Sequence, residues 1–219
     1  MKASNPTAAL LIIGNEILSG RTPDANLNFI AKKLGTVGIP LKEARVVPDI
    51  EADIVAALNA LRKRYTYVFT TGGIGSTHDD ISVDAVAVAF GLPVVEHPGA
   101  KAMLAAHFGK DKLTPARLRM ARVPKGASLI DNPASAVPGV KIDNVYMLAG
   151  VPEIMQSMMD SVVAGLRHGP KMISVTVSGV VAESDIADEL RALASRHASV
   201  DIGSYPWMRE ERFGTALVA

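Results

Sequence analysis

The sequence predicts an α/β fold in which helices cover a sheet of buried strands, followed by a small α+β domain. Three observations lead to this prediction. Short apolar runs alternate along the 219 residues with longer segments whose apolar residues recur at helical spacing. Apolar residues make up 48% of the chain, which is enough to bury a sizeable core. A glycine-rich turn at residues 70–80 follows one apolar run and precedes a helical pattern.

The first ninety residues alternate between the two patterns. The first and last of the helical segments end at Gly35 and Gly91, and glycine is common at helix C-termini. The predicted strands are 8–13, 41–47 and 65–69. The predicted helices are 25–34, a segment that carries Ile54, Val55, Leu58 and Leu61 on one stripe, and 82–90.

The next eighty residues are less regular. Residues 98–120 predict two short helices, of which the second is capped by Thr114 and opened by Pro115. Residues 124–139 are rich in loop-forming residues, with one short apolar run at 127–130. A further buried strand is predicted at 145–149, followed by a helix from Pro152 to about residue 166.

A domain boundary is predicted at His168-Gly169-Pro170, which gives domains at 1–168 and 171–219. The second domain has a β-α-β-β pattern. Its predicted elements are a strand at 173–180, a helix capped by Ser184 that runs through Arg196, and strands at 200–202 and 215–218. The chain stops on the last strand without a polar tail, which is compatible with a truncated domain.

Composition excludes several classes of function. Lysine plus arginine is 23 and aspartate plus glutamate is 22, so the net charge of +1 gives no bulk reason to expect nucleic acid or an anionic membrane. The absence of cysteine excludes disulfides, thiolate metal sites and a catalytic thiol. The apolar run 8–13 is too short to span a bilayer, and no signal-peptide pattern precedes it. We therefore expect a soluble cytoplasmic protein.

The glycine turn carries the clearest chemistry. It lacks the Gly-Lys-Ser/Thr of a Walker A loop, and Gly73-Ile74-Gly75 lacks the third glycine of a Rossmann fingerprint. What remains is a nest of backbone N–H groups for an anion, with the hydroxyls of Ser76 and Thr77 beside it. Because Asp79 and Asp80 would repel a bound phosphate, they predict Mg²⁺ between carboxylate and phosphate. The alternative is a structural turn whose aspartate caps the next helix.

Two further loops fall at predicted strand ends, where open α/β sheets bind ligands. The first comprises residues 14–20 and continues through Asp24 and Asn26. It is interpreted equally well as a binding loop and as a connection in which Asp24 caps a helix. In the second loop, Asp49 is better explained as the start of a helix than as a ligand.

The charged residues near these loops suggest a composite site. Glu16, Asp49 and Asp80 follow three different predicted strands, so their carboxylates could converge on one cation. The glycine turn itself contains no lysine or arginine, although phosphoryl chemistry usually benefits from a cation. Arg21 and Arg45 are the candidates to supply it from neighbouring strand ends.

Together these motifs resemble the molybdenum-cofactor-biosynthesis (molybdopterin-binding) domain family, in the form found at the N-terminus of competence/damage-inducible protein A. The resemblance covers about residues 8–168. The residues that carry it are 13–20 with Asp24 and Asn26, then Asp49, 70–80, 135–139 and 149–152. The second domain resembles the small domain that follows in the same proteins. The amidohydrolase domain that many of them carry is missing, so deamidation of nicotinamide nucleotide is not expected.

The resemblance implies a three-layer α/β/α sandwich that assembles as a homo-oligomer. It implies Asp49 and Asp80 as both the catalytic acids and the metal ligands, with Mg²⁺ or another divalent metal as cofactor. Molybdopterin or a nucleotide is the implied ligand. The implied binding residues are Gly14, Glu16, Gly20, Asn26, Thr71, Gly72, Gly73, Gly75, Ser76, Thr77, Ser135, Pro138, Gly139, Gly150 and Pro152.

The chain departs from the family pattern at four places. Asn15 and Ser76 stand where the family usually has aspartate and proline, and Ala149 stands where it usually has proline. Ile154-Met155 replaces a Glu-Met pair. Because Asn15 removes one negative charge near the predicted metal, it weakens the expectation of catalysis more than that of binding.

The resemblance implies two functions. The first is binding of a small phosphorylated ligand, a pterin or a nucleotide, through a divalent metal. The alternative is a metal-dependent pyrophosphatase acting on ADP-ribose or a related dinucleotide, with adenylyl transfer onto molybdopterin as its transferase variant. A nucleic-acid module is disfavoured, since the sequence shows no basic stripe.

Overall fold

The computed structural model describes residues 5–209 and 212–219 and forms two compact units. The larger unit ends at Lys171, and the smaller one begins at Met172.

The larger unit is built on a six-stranded sheet. Its strands are β1 (Ala8–Ile13), β2 (Leu41–Val47), β3 (Tyr67–Thr71), β6 (Ser128–Ile130), β7 (Gly139–Ile142) and β8 (Val145–Leu148), in the order β2-β1-β3-β8-β7-β6. The first four in this order are parallel, and β7 and β6 run antiparallel to their neighbours. A separate two-stranded ribbon pairs β4 (Val94–Glu96) with β5 (Arg122–Pro124).

Helices cover this sheet. They are α1 (Asn15–Leu18), α2 (Asn26–Gly35), α3 (Glu51–Arg64), α4 (Ser82–Phe90), α5 (Pro98–Phe108), α6 (Pro115–Arg119) and α7 (Pro152–Ala164). Helix α2 packs against α7, and α3 packs against α4, which gives the helical layers of the predicted α/β/α sandwich.

The core explains why these segments take these conformations. All six residues of β1 are buried, as expected for a parallel strand with helices on both faces. Met155, Met158 and Met159 are fully buried on α7, in agreement with their helical spacing. The stripe predicted on α3 is buried at Ile54, Leu58 and Leu61.

Most predicted elements are confirmed, and some boundaries are corrected. The bounds of β1, β2 and α4 agree with the prediction, and Thr114 caps α6 through the N–H of Arg117. Strand β3 begins two residues later than predicted, because α3 continues to Arg64 and Tyr65 follows it as a buried link. Strand β7, the ribbon β4–β5 and the short helix α1 are absent from the prediction.

The smaller unit has the predicted β-α-β-β order. It contains β9 (Thr176–Gly179), α8 (Ala187–Arg196), β10 (Gly203–Arg209) and β11 (Arg212–Val218), in an antiparallel sheet ordered β10-β11-β9. The predicted cap at Ser184 is wrong, because a 3-10 turn at Glu183–Ile186 precedes α8 and the Ser184 hydroxyl bonds to Asp185. The strand predicted at 200–202 is wrong as well, since β10 begins at Gly203.

No helix within residues 5–209 and 212–219 is both long and apolar enough to cross a membrane.

Candidate functional site

Three loops meet at the carboxyl edge of the larger sheet. Strands β1, β3 and β8 are parallel neighbours, so the loops that follow them leave the sheet side by side. A Cβ atom at Gly72 would overlap the carbonyl oxygen of Ile13, and one at Gly150 would lie 3.3 Å from the Gly72 Cα. The chain places β2 on one side of β1 and β3 on the other, and open α/β sheets bind ligands at such switch points in the strand order.

The backbone of the glycine turn is fixed by its own conformation and by α4. Gly72 and Gly73 have φ angles of 97° and 68°, in the left-handed region that favours glycine. The buried Ser82 hydroxyl donates to the Gly72 carbonyl at 2.8 Å, and the Ser82 N–H donates to the Gly73 carbonyl at 3.0 Å. The first residue of α4 therefore anchors the turn to the helix.

Asp80 closes the turn from its far end. Its Oδ1 accepts from the Gly75 N–H at 2.7 Å, and its Oδ2 accepts from the Thr77 N–H at 2.7 Å and from the Thr77 hydroxyl at 2.6 Å. The Thr77 hydroxyl also lies against the carboxylate of Asp79, and this hydrogen bond lowers the pKa of Asp79 below its usual value. The turn thus holds two carboxylates, four and five residues after its last glycine.

The first loop forms the short helix α1, which carries Glu16. The Asn15 N–H donates to Asp49 Oδ2 at 2.9 Å, and the Gly14 N–H donates to the Val47 carbonyl at 3.2 Å. The interpretation of Asp49 as the cap of α3 is therefore wrong. The residue before α3 is Ile50, which makes no side-chain cap, and Asp49 instead ties the first loop to the end of β2.

Two further side chains confirm or extend the sequence analysis. Asp24 Oδ1 accepts from the Leu27 N–H at 2.8 Å, so Asp24 bonds to the first turn of α2 although the N-cap residue of that helix is Ala25. The buried Asn26 donates from Nδ2 to the Gly150 carbonyl at 2.8 Å, which ties α2 to the loop after β8.

A cleft of about 340 Å³ opens between these loops. Of the predicted binding residues, it is lined by Glu16, Gly72, Gly73, Gly75, Ser135 and Gly150, and Asp80 lines it as well. The other predicted residues do not line it: Gly14, Gly20, Asn26, Asp49, Thr71, Ser76, Thr77, Pro138, Gly139 and Pro152.

Several of the residues outside the cleft have structural positions instead. Gly139 begins β7, where a Cβ would lie 2.9 Å from the Met147 carbonyl oxygen, so close strand pairing requires this glycine. Pro152 opens α7, a common position for proline. Thr71 is buried at the end of β3.

The cleft also has an apolar wall that the sequence analysis did not identify. It is formed by Met120, Val137, Ala149, Val151, Ile154 and Met158. Met158 could be predicted only as a core residue, because a helical stripe does not show which of its members faces a cavity. Met120 comes from a segment that no motif marks, whereas Val137 lies within the motif 135–139, in which Ser135, Pro138 and Gly139 were the predicted binding residues.

The charges of the cleft are one-sided. Glu16 and Asp80 line it, and none of its lining residues within the described chain is cationic. In residues 5–209 and 212–219, no three acidic or histidine side chains come together as a ready-made metal cage. Mg²⁺ is usually held by one or two carboxylates and completed by substrate phosphates, so this donor set fits Mg²⁺ bound together with a phosphorylated ligand.

Arg21 and Arg45, which were predicted to supply a positively charged side chain to the glycine turn, are not the residues found near it. Arg45 donates from Nε to Glu43 at 2.7 Å, on β2, and Arg21 is exposed. Arg119, on α6, donates instead from Nη2 to the backbone carbonyl of Asp80 at 3.4 Å. With Arg122, which is paired to Asp84, it lines a small cavity of about 10 Å³ beside the turn.

Comparison with known families divides the chain as the two units do. Residues 9–168 match the family model described as a probable molybdopterin binding domain. Residues 171–219 match the model of the middle domain of FAD synthase.

Individual relatives agree with the first match. A protein of Pyrobaculum calidifontis is 34% identical over 213 residues, which are 92% of this chain and 81% of that protein. A putative competence-damage inducible protein of Moorella thermoacetica is 34% identical over 158 residues, 69% of this chain and 38% of that protein. The crystal structure of the protein CinA from Thermoplasma acidophilum, described as having unknown function, is 31% identical, with a TM-score of 0.69 over 74% of this chain and 98% of that one.

Proposed function

The chain belongs to the family of probable molybdopterin binding domains, and from this premise we propose that its cleft binds a phosphorylated pterin or a nucleotide together with a divalent metal. One observation carries the proposal. The glycine turn, whose backbone suits phosphate, and an apolar wall, which suits a flat ring, line the same cleft.

The ring would lie against the apolar wall. Met120 and Ile154 provide apolar surface, and methionine sulfur contacts aromatic rings favourably. The glycines at 72, 73 and 150 line the cleft without side chains, so a phosphate can approach the backbone there. Helix α7 begins at Pro152, directly after Gly150 and Val151, and adds the positive end of its dipole at this edge.

The metal would lie between the carboxylates and the phosphate. A bound divalent cation would neutralise phosphate charge and polarise a phosphoryl oxygen. Glu16 and Asp80 are the acids that line the cleft. Asp49 supports the loop that carries Glu16 by accepting from the Asn15 N–H. Its role as a direct metal ligand stays a prediction, as does assembly of the chain into a homo-oligomer.

Calorimetric titration with AMP tests the binding function. We expect the wild-type protein to bind AMP in Mg²⁺ and to bind it much more weakly in EDTA. Asp80→Asn should reduce the Mg²⁺-dependent affinity by about tenfold or more, because one charge-assisted contact is worth roughly 1–3 kcal/mol. Asp111→Asn, an exposed acid outside the cleft, is the control. Unchanged affinity in Asp80→Asn would argue against the metal-bridged arrangement.

The second candidate is hydrolysis of a dinucleotide pyrophosphate such as ADP-ribose. It is supported by the pair of carboxylates that lines the cleft, since one can help to hold a cation while the other accepts a proton from water. Water would attack one phosphorus atom, the bridging P–O bond would break, and AMP and ribose 5-phosphate would form. Glu16 or Asp80 would take the proton.

Incubation with ADP-ribose tests the hydrolase directly. The protein is given Mg²⁺, Mn²⁺ or Co²⁺, and AMP is measured by chromatography, with Asp80→Asn and Glu16→Gln beside the wild type. The hydrolase proposal expects AMP from the wild type and at least a hundredfold less from either variant, the scale of a lost acid–base group. If no metal yields AMP, this substrate is excluded and the binding function stands alone.

A further inference from the structure

Two of the backbone N–H donors of the glycine turn are already bonded to a carboxylate of the chain. Asp80 Oδ1 accepts from the Gly75 N–H, and Asp80 Oδ2 accepts from both the N–H and the hydroxyl of Thr77, at 2.6 to 2.7 Å. The carboxylate thus accepts three close hydrogen bonds from the turn. The carboxylate oxygens therefore occupy places that phosphate oxygens would need.

Gly75 is shaped to this carboxylate. A Cβ at this position would lie 2.6 Å from Asp80 Oδ2 and 2.9 Å from Oδ1, closer than a carbon and an oxygen pack. Unlike Gly72 and Gly73, Gly75 does not lie in the left-handed region. Its backbone conformation does not demand glycine, but a side chain here would push the Asp80 carboxylate out of its present position.

A free anion has little to gain at such a turn. It would have to displace a tethered carboxylate, which is always present at the donors, and it would then face the charges of Asp79, Asp80 and Glu16. None of the described lining residues of the cleft carries a positive charge. Arg119 contacts the backbone carbonyl of Asp80, so that contact does not compete for the carboxylate.

We propose that Asp80 is a specificity-determining residue that makes the site selective for phosphate groups that carry a divalent cation, and against free phosphate anions. The inference rests on the proposed function, whose ligand class it narrows. When the complex binds, the carboxylate leaves the N–H groups of Gly75 and Thr77 for the cation. Those N–H groups then donate to phosphate oxygens. Without a cation the carboxylate stays in place and the donors are blocked.

Binding of inorganic pyrophosphate with and without metal tests this exchange. In EDTA the wild-type protein should give no measurable binding, and in Mg²⁺ it should bind. Asp80→Ala, which frees both N–H groups, should bind pyrophosphate in EDTA at least about tenfold more tightly than the wild type and lose most of the gain from Mg²⁺. Asp79→Asn is the matched control, since it removes the same charge one residue away but no bond to the turn's N–H groups.

A second variant tests the exchange with the carboxylate in place, in case Asp80→Ala disrupts the structure of the turn. Thr77→Val keeps the N–H but removes the hydroxyl that holds Asp80, so it should raise binding in EDTA by a smaller factor than Asp80→Ala does. Thermal unfolding of each variant shows whether it is folded. If both variants are folded and neither binds pyrophosphate in EDTA better than the wild type, the exchange is wrong.

The outcomes separate this inference from the proposed function. A wild type that binds Mg²⁺–pyrophosphate, with variants that gain nothing in EDTA, overturns the exchange and leaves the proposed function standing. A wild type that binds neither Mg²⁺–pyrophosphate nor AMP in Mg²⁺ overturns both. A wild type that binds free pyrophosphate as tightly as its Mg²⁺ complex overturns the exchange alone.

Discussion

Glu43 and Asp80 are both carboxylates held by short hydrogen bonds, yet Glu43 is paired with arginine side chains and Asp80 only with uncharged donors. Glu43, on the edge strand β2, accepts from the Tyr65 hydroxyl at 2.7 Å and from Arg45 at 2.7 Å, and Arg64 lies 3.4 Å away. Asp80 is held by two N–H groups and a hydroxyl, and its acidic neighbour is Asp79. One carboxylate is neutralised by the chain, and the other is not.

This difference distinguishes a structural cluster from a site. The Tyr65 hydrogen bond, with help from Arg45 and Arg64, lowers the pKa of Glu43, and the same bond raises the pKa of Tyr65. Such a cluster is complete without any ligand. At Asp80 the negative charge faces a cleft with no cation among its described lining residues, and we propose that a ligand-bound metal balances it.

Substitution of the turn glycines should have the largest effect. Gly73 and Gly91 have nearly equal φ angles, 68° and 66°, but a Cβ at Gly73 would overlap the Ser82 hydroxyl, whereas one at Gly91 meets nothing within 4 Å. We expect Gly73→Ala to lower the free energy of unfolding by about 2–4 kcal/mol and Gly91→Ala by about 1 kcal/mol. Urea denaturation measures both.

Ligand binding should distinguish the same two variants further. Gly73→Ala should also abolish AMP binding in Mg²⁺, while Gly91→Ala should retain it, because Gly91 ends α4 away from the cleft. Equal losses of stability and binding in the two variants would show that the turn is not built around the contact between Gly73 and Ser82.

Removal of the Asn26 tether should have a smaller effect. Asn26→Ala breaks the bond to the Gly150 carbonyl and should lower the free energy of unfolding by about 1–2 kcal/mol, with a weaker affinity for AMP. Asn28→Ala, an exposed position in the same helix, controls for helix propensity and should change neither. The idea that α2 positions the Gly150 loop fails if the two variants behave alike.

The Glu43 cluster should affect stability only and in a pH-dependent way. Because the folded pKa of Glu43 is lowered from 4.5, its contribution is fully present above that value and is lost as pH falls through the folded pKa. The stability difference between the wild type and Glu43→Gln should be constant near neutral pH and shrink below pH 4.5. Thermal unfolding from pH 7 to pH 3 measures it, with AMP binding at pH 7 expected to be unchanged.

The fold could be predicted to the extent that single segments determine it. Buried runs such as β1 and capped segments such as α6 carry their own signals. The start of β10 could not be found in this way, because its residues 203–209 are held by antiparallel pairing with β11 rather than by a local apolar run. Strand β7 was missed for the same reason, since it depends on its neighbours β6 and β8.

The site, like the fold, could be predicted only in part. Glycines with positive φ and a carboxylate beside them could be recognised from the chain, and Glu16, Gly72 and Asp80 do line the cleft. The partner of each side chain could not be recognised, because Asp49 bonds to Asn15, which lies 34 residues away. Arg119 was missed because its approach to Asp80 depends on where α6 packs.

The most direct test is to locate the bound ligand on the chain by NMR. Backbone amide shifts of ¹⁵N-labelled protein are followed as AMP and Mg²⁺ are added, with a matched titration in EDTA. We predict that the largest shifts fall on Gly73, Gly75 and Thr77 and that they appear only with Mg²⁺. Shifts that are equally large in EDTA, or that gather instead on the smaller unit around Trp207, would contradict the assignment of this cleft as the metal-dependent phosphate site.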